Sequence, residues 1–144
     1  MSGLDKLFTG MRAASSGMAA ERVRIDTVAK NIANANTTRT PEGGPYKRQL
    51  VHFAPLLERA ENGKNEVVGV RVSKVSSDEV TPLPRIFDPS HADADAEGYV
   101  TLPNVNPVME MADLISSTRA YEANVAAQEQ FVAMAERALR LVQS

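Results

Sequence analysis

An elongated α+β fold follows from three features of the sequence. Each end is a proline-free, alanine-rich stretch, both ends carry a seven-residue apolar rhythm, and the middle holds all the prolines and alternates like strand. The eight prolines lie between Pro41 and Pro107, whereas fifteen of the 20 alanines lie in residues 1–36 and 107–144. Alanine is the best helix former and proline the worst, so the order reads helix, β or irregular centre, helix. The divisions are residues 1–40 for an N-terminal helix, 41–106 for a central β lobe and 107–144 for a C-terminal helix.

In the first stretch, Leu4, Leu7, Met11, Ala14, Met18, Ile25, Val28 and Ile32 follow alternating steps of three and four, broken at Glu21. That spacing lays one narrow apolar seam along a helix, the a and d pattern of a coiled coil. Gly3, Gly10 and Gly17 recur one position ahead of Leu4, Met11 and Met18. Glycine inside a helix costs up to about 1 kcal/mol relative to alanine. The row therefore reads either as a lane for close backbone approach or as a poorly formed first half of the helix.

In the centre, Tyr46 to Phe53 reads as a strand, and Glu66 to Val75 as a stronger one with Val68, Val70 and Val72 on one face. Glu61-Asn62-Gly63-Lys64-Asn65 is the turn between them. Arg85 to Phe87 and Tyr99 to Leu102 read as a further pair around the acidic loop Asp88 to Gly98.

The last stretch answers the first. Met111, Leu114, Tyr121, Val125, Val132, Ala135, Leu139 and Val142 keep the same rhythm, with Thr118 and Gln128 interrupting and Pro107 suited to the first helical position. Residues 1–40 carry six positive and three negative charges, and residues 107–144 three positive and five negative, so the ends attract. A helix of some 34 residues is roughly 50 Å long. A compact domain of this chain length has a radius of gyration near 15 Å, so the helices cannot wrap into a ball. Two helices side by side leave part of each seam uncovered, which points to assembly with other copies or relatives of the chain.

Several classes fall away. A net charge of −2 gives no basic footprint for nucleic acid. The absence of cysteine removes disulfides, thiolate metal sites and cysteine nucleophiles. No stretch has the length of a membrane span, and the first 20 residues lack a secretory signal. His52 and His91 are the only histidines and form no metal or triad pattern. Asp93-Ala94-Asp95-Ala96-Glu97-Gly98 opens like a calcium loop, but its twelfth position is Asn104 and no helices flank it. Asp78 with Glu79, and Ser116 to Thr118, read as solvated polar residues. The basic first helix is too narrow in its apolar face to lie on a membrane. Catalytic residues, metal sites and cofactors are accordingly expected to be none.

Two segments go beyond periodicity: Asn31 to Gln49, NIANANTTRTPEGGPYKRQ, and Leu102 to Glu129, LPNVNPVMEMADLISSTRAYEANVAAQE. Together they resemble the flagellar basal-body rod proteins, members of the axial rod and hook family. Thr40-Pro41-Glu42-Gly43-Gly44-Pro45-Tyr46 and Arg119-Ala120-Tyr121-Glu122-Ala123-Asn124-Val125 point to the proximal rod. Ala92 departs from a proline common after the histidine in that family.

The resemblance implies terminal helices paired in a coiled-coil-like layer around a central export channel, with the β lobe outside. Subunits would stack in an open helical array as a torque-transmitting drive shaft across the periplasm. The implied partners are other rod proteins, copies of the same chain and the flagellar type III export apparatus, which exports subunits without a cleaved leader. The candidate assembly interface is then Leu4, Leu7, Met11, Met18, Ile25, Val28 and Ile32 with Met111, Leu114, Tyr121, Val125, Val132 and Leu139. Asn31, Asn34, Asn36 and Asn124 are amides near these seams that fix register when buried, or cap and turn the chain. The alternatives are a rod subunit at another position and a coiled-coil adaptor outside any filament.

Overall fold

The computed structural model describes residues 3–59 and 63–143. Its order is α1 (Gly3–Ala33), β1 (Gln49–Arg59), β2 (Asn65–Ser77), β3 (Arg85–Phe87), β4 (Tyr99–Thr101) and α2 (Pro107–Gln143). α1 and α2 lie antiparallel, and α2 alone is about 55 Å long at 1.5 Å per residue. The α+β class and the two-helix layer with a small β lobe are as expected from the sequence.

Both helix ends next to the lobe are capped by asparagine. The Asn106 side-chain oxygen accepts from the Val108 and Met109 N–H groups at 3.0 and 3.3 Å, and Pro107 takes the first helical position, where its missing N–H is harmless. At the other end the Asn34 amide donates to the Lys30 carbonyl at 2.9 Å, closing the last turn of α1.

The sheets are two antiparallel pairs, β1 with β2 and β3 with β4. β1 begins at Gln49, three residues later than its apolar pattern predicts, and runs on to Arg59. Tyr46 and Arg48 instead bond the helices through their side chains, and Lys47 pairs with Glu79 at 2.5 Å, beyond the end of β2. Two register shifts, at His52/Phe53 and Leu56/Leu57, give β2 two extra residues over β1. Glu61 and Asn62 of the expected turn lie outside the described residues. β4 ends at Thr101, one residue short of the expected end, and Leu102 N–H instead donates to the Pro84 carbonyl at 2.8 Å. Val100 of β4 is fully buried, and Tyr99 meets Phe87 edge-on at 5.3 Å between ring centroids.

Of the apolar seam of α1, Ala14 and Val28 are buried, whereas the row Met11, Met18, Ile25 and Ile32 is only half-buried. The contact line runs one residue earlier: Asn31 bonds Glu110, Gly17 lies under Asn124 and Gly10 under Phe131. Each step back by seven or fourteen on α1 matches a step forward on α2, as in an antiparallel coiled coil. The glycine row read either as a lane for another backbone or as a poorly formed helix; α1 is helical through Gly10 and Gly17, and what comes close there is side chains. A Cβ on Gly10 would sit 2.5 Å from the Phe131 ring, and one on Gly17 2.8 Å from the Asn124 amide. The physical reason is size: a phenyl ring can enter a helix contact line only where the facing residue has no side chain.

Gly10→Ala therefore carries an informative sign. Helix propensity alone would raise stability by up to about 1 kcal/mol. Displacing a packed ring lowers it by about 1–3 kcal/mol. A lower melting midpoint in circular dichroism of the purified chain is the expected outcome. A higher midpoint would show that Phe131 swings aside freely.

Candidate assembly interface

Where α1, α2 and the start of β1 meet, polar side chains replace the apolar core. Asn31 is 1% exposed and uses its amide completely. Its nitrogen donates to the Gln49 carbonyl at 3.0 Å and to Glu110 Oε2 at 2.9 Å. Its oxygen accepts from the Gln49 N–H at 2.8 Å and the Tyr46 hydroxyl at 2.9 Å. The amide thus pairs with Gln49 as a neighbouring strand would, joining α1 to β1.

Glu110, at 0% exposure, joins the same point to α2. Its Oε1 accepts from Arg48 Nε at 2.5 Å, and Arg48 reaches on to Asp113 at 3.3 Å. Asp113 also takes Arg24 of α1 at 3.3 Å. A buried carboxylate with two charge-assisted or amide donors is compensated, whereas one without them would not be. Burial pushes the Tyr46 phenol above its ordinary range, and the Glu110 charge adds to the effect.

Asn104 fastens the lobe beneath. Its oxygen accepts from the Arg48 N–H at 2.8 Å, and its nitrogen donates to the Asp78 and Thr81 carbonyls at 3.0 and 2.9 Å. Asp78 is held below the usual carboxylate range by the Thr81 N–H, the Thr81 hydroxyl and the Val80 N–H. In the acidic loop Asp93 takes the Thr38 hydroxyl at 2.8 Å and Arg39 at 3.2 Å, while Asp95 accepts the Tyr99 N–H at 2.7 Å.

This joint settles which sides of the helices remain open. Both strands of the hairpin pack on α1, and no α2–strand packing is found among the described residues. The hairpin meets α1 at Ala13 and Ser16, the latter donating nothing to β2 but accepting the Val70 N–H at 3.1 Å. Asp113 marks the side of α2 that faces the lobe. Helical geometry then places the row Met11, Met18, Ile25 and Ile32 of α1, and the row Met111, Val125, Val132 and Leu139 of α2, together on the opposite side of the layer.

The candidate residues distribute accordingly. Val28 and Asn31 are buried, and Leu7, Met11, Met18, Ile25, Ile32 and Asn34 are half-buried. On α2, Leu114, Tyr121, Asn124 and Val125 are half-buried, while Met111, Val132 and Leu139 stand 52%, 40% and 62% exposed. Asn36 is exposed, and the Leu4 side chain lies outside the described residues. The result is an apolar row along each helix, half-buried on α1 and more exposed on α2, where Thr118 interrupts it. Sequence reasoning missed Glu110, Arg48, Tyr46 and Asn104 as the joint. The available signal was Glu110, a charge set between two methionines in the first turn of α2.

Comparison with known proteins follows the same two ends. Residues 11–39 match the family described as flagella basal body rod protein, and residues 96–141 match the C-terminal family of the flagellar basal body rod FlgEFG proteins. The chain is 43% identical over 152 aligned positions to the flagellar basal-body rod protein FlgC of Borreliella burgdorferi, covering 95% of this chain and 98% of that one. It is 40% identical over 146 positions to FlgC of Bacillus subtilis, covering 93% and 97%. Identity to FlgC of Salmonella typhimurium is 35% over 113 positions, covering 78% and 80%.

Proposed function

The chain belongs to the FlgC family of flagellar basal-body rod proteins and is a structural rod subunit, and from that premise we propose that it builds the proximal rod through the open face of its two-helix layer. The observation that carries this reading is the pair of apolar rows left partly uncovered opposite the hairpin, with Met111 and Leu139 more than half exposed. Apolar surface of that extent is stabilised by burial at about 25 cal/mol per Å² and needs a partner surface. Copies of the chain and other rod proteins supply it, in an open stack around the export channel.

In this arrangement the buried joint holds the β lobe at a fixed angle to the helical layer, so torque entering the helices is carried by the lobe as well. The subunit reaches its place across the periplasm through the flagellar type III export apparatus. Among the described residues no helix is long and apolar enough to cross a membrane. Structural work of this kind asks for no reacting group, and the chain's role is not enzymatic.

Electron microscopy of basal bodies from a strain lacking the gene tests the proposal. A membrane ring and export base without a completed rod or hook is the expected image. Complete rods and hooks would move the chain out of the drive shaft and favour a coiled-coil adaptor.

A further inference from the structure

β1 has one unpaired edge, and its exposure is sharply bounded. Among the described residues the sheet contains β1 and β2 alone, so β1 has no strand on its other side. Gln49 turns its N–H and C=O away from β2 and gives both to the Asn31 amide. His52 turns the other way, its carbonyl accepting the Ser73 hydroxyl of β2 at 3.0 Å. Backbone groups alternate sides along a strand, so Val51 and Phe53 share Gln49's outward direction. Two residues further, Pro55 has no N–H to offer. Between the Asn31 amide and Pro55 the open edge is therefore Val51 and Phe53, about 7 Å of strand.

That edge opens into a groove. Its floor is α1, from Arg24 to Asn31, and its far wall is Glu110 and Asp113 of α2; this part holds about 350 Å³. A second hollow of about 250 Å³ continues past Phe53 to Glu21 and Gly17. Charge in the groove does not balance. Three carboxylates, Glu21, Glu110 and Asp113, share two guanidinium groups, Arg24 and Arg48. Arg24 stands 3.8 Å from Glu21 Oε2, beyond hydrogen-bond reach, and that buried oxygen has no hydrogen bond. A buried carboxylate oxygen without a hydrogen-bond donor is unfavourable, so the groove favours an added cation.

We propose that an extended segment of a neighbouring rod subunit lies in this groove, adding a short third strand to β1 at Val51 and Phe53 and setting a lysine or arginine against Glu21. This rests on the rod-subunit reading above, and it adds a second contact on the lobe side, distinct from the open helical face. Strand addition suits the site because main-chain bonds supply the attachment while one charged side chain supplies selectivity. The occupant must be extended rather than helical, since a helix has no free backbone groups to pair with the edge.

Proline scanning separates the edge from the fold. Val51→Pro removes an outward N–H and leaves the β1–β2 bonds in place; Val51→Ala keeps that N–H. In the flagellated strain, Val51→Pro should lower the amount of chain in purified basal bodies about tenfold, and Val51→Ala less than about twofold. The purified variants should share one melting midpoint. Glu21→Gln, which keeps the shape and drops the charge, should also lower incorporation about tenfold.

Equal incorporation of Val51→Pro and Val51→Ala would overturn the added strand. Should Val51→Pro melt lower, a benzoylphenylalanine photo-cross-linker at position 53 decides. The chain has no cysteine and remains otherwise intact. A cross-link to a non-helical, lysine- or arginine-bearing segment of another rod subunit supports the proposal. A cross-link to a helix, or within the same chain only, overturns it. Absence of the unaltered chain from basal bodies would remove the rod reading itself, a result distinguishable from loss of the strand alone.

Discussion

Glu110→Ala should lower the stability of the isolated chain by about 3–5 kcal/mol, the loss typical of breaking one partner out of a buried ion pair. Its two oxygens satisfy Arg48 Nε and the Asn31 amide nitrogen, and it is fully buried. Alanine would leave Arg48 facing a small cavity with its closest counter-charge gone, and only Asp113 at 3.3 Å remaining. For a domain of this size that loss corresponds to a fall in melting midpoint of about 10–15 °C. Glu110→Gln tests the chemistry separately. Its amide can accept one bond but turns a donor toward the other donor, so most of the loss should persist. Arg48→Ala with Glu110→Ala should lose less than the two single changes together, because no charge is then left unpaired. Equal melting of Glu110→Ala and the unaltered chain would mean the joint does not hold the lobe.

Ile25→Asp should leave the monomer folded and abolish the rod. Ile25 is half-buried in the single chain, on the row opposite the hairpin, so a carboxylate there keeps contact with water until subunits meet. In an assembly the same charge is buried without a partner, an unfavourable change of several kcal/mol at every copy. Swimming should cease and the chain should disappear from purified basal bodies, while the monomer's circular dichroism changes little. Ala19→Asp is the matched control, six residues away on an exposed row, and should swim normally. Normal motility with the Ile25→Asp protein present in rods would rule out this face as the interface.

The two changes probe opposite sides of one design. Glu110 lies in a joint completed within the chain, so its loss is felt by the monomer. Ile25 lies on a face the chain leaves open, so its loss is felt only on assembly.

Much of this was legible in local chemistry. Proline and alanine placement marked the helices and the lobe, because helix propensity acts residue by residue. Pro107 at the first helical position and the Arg85 to Phe87 strand fell where their residue types place them. Asn31 was recognisable as an amide that must be satisfied if buried. Its partners were not recognisable, since Gln49, Tyr46 and Glu110 stand 18, 15 and 79 residues away.

The choice of helix face lay wholly with tertiary packing. Two rows one residue apart on a helix differ by about 100° and share the same seven-residue period, so spacing cannot choose between them. The larger side chains of Met11, Met18 and Ile25 marked the obvious seam. Phe131 and Asn124 needed the smaller residues beside it, and Gly10 and Gly17 offered the room. Period is a property of the sequence; which row turns inward depends on the volume of what arrives from the other helix.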